Sequence, residues 1–463
     1  MKTALLTLLQ TRICIGWVSG PTTALRRGTQ LYQSNDYNVV FRPSTGMSVR
    51  QHAALLLTPP STATLHTETD AFDSFKLGSA RVTTEGLKVL VLSKSEYVMW
   101  YHGRCKELSE DKTLPPLSTG RVGRAKSRNG LIWEREDEGS VDADREGVSL
   151  GLNTESWWGF DTAHLGLGQV LMPMATPSVR AEGGVYIMYY HGGNFDETRI
   201  ADYLDEEKAA NVPEGATIAG MKMKIGAAVS QDGTTWGRIE GEDPSGACVV
   251  PFDRDDPNVD ASLDFPEELY CGWPEVVVNP PGEGESNPPP KDRDNFFMYY
   301  STMLKDTKEK AIGFATSENG FKWTKKGICL SPTDETLDSM GCARCHVVKK
   351  AHLNEDQQWE EDKTGWIMYY EGVGLDGRHR VLAAESDDLL TWRKLGLVKD
   401  VGEDGSWDEK GVGSPHVIRL DDGSMRMYYT GESMDGSTAI GVAKSVDLLN
   451  WEREQAGVST FAF

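Results

Sequence analysis

Five times along the chain, an aromatic and β-branched run ends at a small or turn-prone residue. The five are YVMWYHG from Tyr97 to Gly103, VYIMYYHGG over 185–193, FFMYYST from Phe296 to Thr302, WIMYYEG from Trp366 to Gly372, and MRMYYTG from Met425 to Gly431. Such runs predict strands. A second phrase follows each one: an alternating stretch, then Ser with Asp, Asn and Gly at a tight turn, then Trp133, Trp236, Trp323, Trp392 or Trp451 opening another strand. Asn-Gly at 129 and 319 and Asp-Gly at 232 are hairpin dipeptides. A third phrase precedes each YY run: GSARV at 78–82, TPSV at 176–179, GWPEV at 272–276, GCARC at 341–345 and GSPHV at 413–417. One unit is therefore strand, strand, strand, turn, strand. Written five times, it predicts an all-β chain folded as a five-bladed β-propeller with four-stranded antiparallel blades.

The repeats fill about 73–456, so 73–463 reads as one propeller domain. Residues 36–72 read as an N-terminal extension packing on it. Early blades carry insertions. Residues 194–220 are acidic and helix-compatible in the middle, and 280–295 form a proline-rich loop. The acidic stretch 240–270 lacks EF-hand spacing and reads as a solvated loop.

Composition narrows the partners. A net charge of -22 argues against nucleic acid and anionic membrane surfaces. Seven scattered cysteines fit a reducing compartment, and Cys342 with Cys345 is a poor metal or redox pair if both lie on one strand. No apolar run is long enough to span a bilayer. Residues 1–35 contain no Asp or Glu but carry Lys2, Arg12, Arg26 and Arg27, as a targeting or disordered segment would. They resemble an organellar transit peptide, plastid or mitochondrial, more than a secretory signal; cytoplasmic and secreted locations are the alternatives.

Candidate chemistry follows from blade geometry. The first strand leaves the face at which the second arrives, so the starts of the third and second phrases and the end of the YY phrase meet at one channel mouth. On the innermost strands, the residue after Pro or Ala is Arg81, Ser178, Glu275, Arg344 and His416. Charges near an interior must be paired or hydrated. The residue after YY is His102, His191, Ser301, Glu371 and Thr430. FDSFKLGSARV and WDEKGVGSPHV place Asp73 and Asp408 alike, as turn aspartates or as carboxylates at the mouth. In SWWGFDTAHLGLGQVLMP, 156–173, Trp157, Trp158, Phe160, Asp161 and His164 fit no repeat phrase. Aromatics beside a carboxylate and an imidazole suit a sugar face.

Five blades with MYYxG followed by IGxAxSxDGxxW resemble the arabinanase/levansucrase/invertase superfamily, including glycoside hydrolase families 43, 32 and 68 and the β-mannoside phosphorylases of family 130. The resemblance implies a glycosidase acting on an oligosaccharide or glycoside with paired carboxylates at the channel mouth. The candidate carboxylates are Asp73, Asp161, Glu275 and Asp408, with Glu275 as the acid. His102, His164, His191, Trp158 and Glu371 would line the sugar site. The family-43 pattern has Asp where this chain has Ser79 and Thr176, and Glu near Cys271 and Gly272. Two alternatives follow. One is a glycoside phosphorylase with phosphate, or an acidic sugar, held by Arg81, Arg344 and His416. The other is a non-catalytic sugar-binding propeller. No cofactor motif is present, and a metal ion in the channel stays open.

Overall fold

The computed structural model describes residues 39–41, 76–85, 96–104, 120–136, 147–171, 185–256, 264–278, 295–353, 359–420 and 422–454. Asp73, Ser178, segment 1–35, most of 36–72 and nearly all of 280–295 lie outside them. The fold is nearly all-β, 54% strand against 3% helix.

Strand Val39–Phe41 (β1) is followed by five antiparallel meanders. The first is Lys76–Glu85 (β2), Glu96–Arg104 (β3), Arg121–Ser127 (β4) and Glu134–Arg135 (β5), with Val148–Leu150 (β6) also on β4. His164–Leu171 (β7) and Tyr186–Gly193 (β8) begin the second. An inserted hairpin, Glu197–Arg199 (β9) and Thr217–Ala219 (β10), encloses the short helix Glu206–Ala209 (α1). Lys224–Ser230 (β11) and Gly237–Ile239 (β12) complete this meander. The third is Glu268–Val278 (β13), Phe296–Leu304 (β14), Lys310–Ser317 (β15) and Thr324–Leu330 (β16). The fourth is Gly341–Leu353 (β17), Trp359–Val373 (β18), His379–Ser386 (β19) and Arg393–Lys399 (β20). The fifth is Gly411–Arg419 (β21), Met425–Glu432 (β22), Thr438–Ser445 (β23) and Glu452–Arg453 (β24), and β1 pairs with β23.

The repeated phrases make the seams. Trp100, Tyr189, Tyr299, Tyr369 and Tyr428, the first members of the WY and YY pairs, lie edge-on against Trp236, Trp323, Trp392, Trp451 and Trp133 of a neighbouring meander. Their ring centroids are 5.5–6.3 Å apart and the planes are 76–86° to each other. Such edge-to-face pairs add to plain burial. The same five side chains each donate a hydrogen bond to a backbone carbonyl of that neighbour's turn: Gly233, Gly320, Leu389, Leu448 and Gly130, at 2.6–2.8 Å. Each seam is filled by an apolar cluster drawn from both meanders, and the fifth meander shares its cluster with the first.

The second tyrosine acts within its own meander. Tyr190, Tyr300, Tyr370 and Tyr429 donate to Asp161, Glu268, Asp338 and Asp408 at 2.8–2.9 Å. A cation from the fourth strand reaches the same carboxylate: Arg238, Lys325, Lys394 and Arg453. These latches tie each chain entry to its own sheet.

Two stability outcomes follow. Tyr299→Phe leaves the Leu389 carbonyl without its donor inside a seam, so urea unfolding should lose about 1–2 kcal/mol; unchanged stability would show the seam bond to be dispensable. Asp408→Asn removes the charge that Arg453 and Lys399 face in a fully buried latch. The expected loss is about 3 kcal/mol, with activity per folded molecule retained.

Candidate active site

The register of the inner strands defines a ring. Residues facing the first member of each WY or YY pair are Arg81 on β2, Gln169 on β7, Glu275 on β13, His346 on β17 and His416 on β21. Two members differ from the sequence reading. The second inner strand is HLGLGQVL, not TPSV, which brings Gln169 to the ring. In the fourth meander the segment Ala343–Val347, not Gly341–Cys345, matches Gly272–Val276 and Gly413–Val417, so Arg344 takes the bulge position of Trp273 and Ser414 and His346 faces Tyr369 in the ring.

Glu275 joins these strands. Its Oε1 accepts from Gln169 Nε2 at 3.2 Å and from the Val347 N–H at 3.3 Å, with His346 Nε2 at 3.5 Å. Its Oε2 lies 3.8 Å from Arg81 and accepts no hydrogen bond. Arg81 also donates to the carbonyls of Gly168 and Pro415, so it spans the second, third and fifth meanders. His346 accepts from the Val417 N–H and packs at 4.2 Å against His416. Burial pushes the Glu275 carboxyl up to about 8, against the pull of Arg81 and the Val347 N–H. Burial, then His416 and Arg81, holds His346 well below the ordinary imidazole value.

The next layer toward the mouth carries the residues after YY. His191 accepts the Trp273 N–H, Ser301 the Arg344 N–H, and Glu371 the Ser414 N–H, at 2.7–3.2 Å. Trp273, Arg344 and Ser414 are bulge residues at φ 49°, 45° and 48°, and those cross-meander bonds hold them there. Glu371 also binds Arg344 and His379. Burial alone would raise it, but Arg344 and His379 bring it down to about 2. Arg344 lies 4.8 Å over the Trp273 ring, which tilts against His191 at 4.5 Å. The inserted hairpin packs Ile200, Tyr203 and Ile218 around Trp273 and so walls this side.

His102 and His164 complete the layer on the other side. A Cβ at Gly166 would meet the rings of both His191 and His102, and His164 donates from Nε2 to the Gly220 carbonyl at 2.7 Å. Burial keeps all three imidazoles neutral-favouring, His164 at about 4, with Arg104 and Arg121 adding to that for His102 and His164.

Of the candidate carboxylates, Asp73 lies outside the described residues, and Asp161 and Asp408 belong to latches that recur with Glu268 and Asp338, each bonded to the tyrosine and outer-strand cation of its own meander. Arg81, Arg344 and His416 do not surround one anion either: Arg81 and His416 are in the ring, and Arg344 is one layer above with Glu371. Trp158, half exposed, lines a separate cavity of about 740 Å³ with Asn153, Asp161, Arg238 and Asp243. The sequence reading missed Gln169, His346, His379, Arg104 and Trp273. Counting from the YY register would have found the first two.

Among the described residues no group of three or more His, Cys, Asp and Glu is placed to hold a metal ion, and no helix is long and apolar enough to cross a membrane. Cys342 and Cys345 are free thiols.

No family model matches the chain. Two uncharacterized proteins of Mycobacterium tuberculosis, from strains CDC 1551 and H37Rv, are 26% identical over 255 residues, which is 53% of this chain and 67% of theirs. Among solved structures, a thermostable family-43 glycoside hydrolase aligns at TM-score 0.49 and 12% identity, over 82% of this chain and 94% of its own. A glycosyl hydrolase from Bacteroides ovatus aligns at 0.47 and 13%, over 91% and 97%. An N-acetylgalactosamine deacetylase from F. plautii, in complex with blood group B trisaccharide, aligns at 0.46 and 14%, over 89% and 98%. Glycoside hydrolases are among the aligned structures.

Proposed function

We propose that the five meanders are the blades of a five-bladed β-propeller, and that the chain is a glycoside hydrolase-like enzyme with Glu275 as proton donor. The observation behind this reading is the division between two buried carboxyls in adjoining layers. Glu275 stays protonated up to about pH 8, while Glu371 is ionised from about pH 2 upward. Glycoside cleavage uses such a division: an acid protonates the leaving oxygen, and a carboxylate activates water or attacks the sugar carbon. In this reading Gln169 and His346 hold Oε1 and leave Oε2 to carry the proton. Glu371, fixed by Arg344 and His379, supplies the ionised partner. The substrate is an oligosaccharide or glycoside entering from the mouth.

A non-catalytic sugar-binding propeller is the second reading, favoured by the 1% exposure of Glu275 and by Cys271 and Gly272 at the family acid position. Phosphate at Arg81, Arg344 and His416 has less behind it, because two of the three already face carboxylates.

Purified protein would be screened against aryl glycosides and oligosaccharides, with and without phosphate, for released sugar. Glu275→Gln should fold and lose at least about 100-fold in turnover. A wild-type rate in that variant removes Glu275 from the mechanism, and sugar-dependent melting shifts without cleavage establish the binding module. Stability carries a second signature. An unfolded glutamate releases its proton near pH 4.5, whereas the folded site holds it to about 8. Between those values the native state binds the extra proton, so this group makes stability fall as pH rises. Glu275→Gln should therefore gain on wild type from about pH 5 to about pH 8 in urea unfolding. Parallel profiles would mean that Glu275 does not titrate there.

A further inference from the structure

Among the described residues, the mouth layer groups buried cations, with Arg104, Arg121 and Arg344 around His102. His102 and Arg104 flank Gly103 at the end of β3, and Gly103 faces Arg121 on β4. His102 and Arg104 are 6% and 7% exposed, yet His102 Nε2 and Arg104 Nε have no hydrogen-bond partner. The buried carboxylates nearby are already paired, Glu371 with Arg344 and His379, and Glu432 with Lys410 at 2.9 Å. In the same register as His102, the residues His191, Ser301 and Glu371 each accept an N–H from the next inner strand, His191 through Nδ1, whereas it is Nε2 of His102 that has no partner. Bare Gly166 on β7 leaves room for the His102 and His191 rings to reach one space. Burial and the neighbouring Arg344 lower the Arg104 guanidinium to about 10, with Glu432 pulling the other way. A desolvated guanidinium with an unpartnered N–H is costly. An oxyanion in that space removes the cost, and arginine's fork matches carboxylate and sulfate oxygens.

We propose that His102 and Arg104, with Arg121 and Arg344 beside them, bind the anionic substituent of an acidic sugar, a carboxylate or a sulfate ester. The proposal rests on the glycoside reading, since the cluster lies in the layer directly above Glu275, where a bound glycoside enters. The cations sit on strand ends and a bulge fixed by the seams, so the site is preformed. It names the substrate class: uronic acid or sulfated glycosides rather than neutral ones.

The test measures binding to the full chain by calorimetry and thermal unfolding at constant ionic strength. The probes are sodium sulfate, a panel of uronic acids and sugar sulfates, and the neutral parent of each sugar. The expected result is that at least one acidic sugar binds about tenfold or more tighter than its neutral parent. Arg104→Gln should abolish that preference and Arg104→Lys should keep part of it. Should Arg104→Gln fail to fold, His102→Gln gives the same readout. Glu275→Gln should retain the preference, so a failed catalytic reading leaves this result standing. Equal binding of acidic and neutral sugars, or an unchanged preference in Arg104→Gln, overturns the proposal. Sulfate binding without any acidic-sugar preference overturns it in favour of a free inorganic anion. No response to any probe overturns it as well.

Discussion

One hydrogen bond, repeated at every seam, places everything else: the first member of a WY or YY pair reaches the turn carbonyl of the neighbouring meander. That carbonyl points into the seam because the turn residue is left-handed. Gly130, Gly233 and Gly320 adopt φ of 71°, 72° and 81° without a side-chain clash. Leu389 and Leu448 do the same at 64° and 71°, at about 1–2 kcal/mol of strain each. Burial of Leu389 in its seam offsets much of that. The serine and the Asp or Asn two residues later cap the free N–H groups, so the turn is shaped before the seam closes.

Fixed seams bring five inner strands to one level, where their side chains lose water together. A ring of Arg, Gln, Glu and two His in such a place must resolve its own charges. Arg81 at 3.8 Å should favour an ionised Glu275, yet its other N–H groups are engaged by the Gly168 and Pro415 carbonyls. At that distance the attraction is diluted, and desolvation of the carboxylate prevails. Glu371 shows the opposite balance. A direct Arg344 contact, a histidine and a backbone N–H outweigh equal burial. Contact geometry rather than depth separates the two acids.

Much of this was legible in the sequence. The YY phrases, the Asn-Gly and Asp-Gly turns and the following tryptophans gave the meanders, because period-two burial and positive φ constrain residue types at every repeat. Glu275, Arg81 and His416 were found at the right depth because Pro or Ala precedes each one. The second and fourth inner strands were misjudged for a physical reason. The fourth inner strand has Cys345 where Pro274 and Pro415 mark the third and fifth, so aligning on Ala343 slid the phrase by two residues, which preserves the strand's facing, and chose Arg344 over His346. Glycines in HLGLGQVL masked a strand, since Gly166 and Gly168 are there to admit His191 and Pro274, a need no propensity expresses. Asp161 drew attention beside aromatics outside the repeat and Asp408 as the counterpart of Asp73, but the tyrosine and outer-strand cation that claim them lie 21–77 residues away in sequence.

The two kinds of buried acid therefore answer to different parts of the molecule. A latch carboxylate is satisfied within one meander, by that meander's tyrosine and outer-strand cation, and each latch can form with its own sheet. Glu275 takes its partners from the first, second and fourth meanders. Its protonated state exists only when those inner strands are seated, because parting any one of the seams that hold them admits water and returns the carboxyl toward its ordinary range. The acid that the proposed chemistry needs is in that sense made by the seams. The same tyrosine-to-carbonyl bonds that hold the sheets together also keep the proton on Glu275.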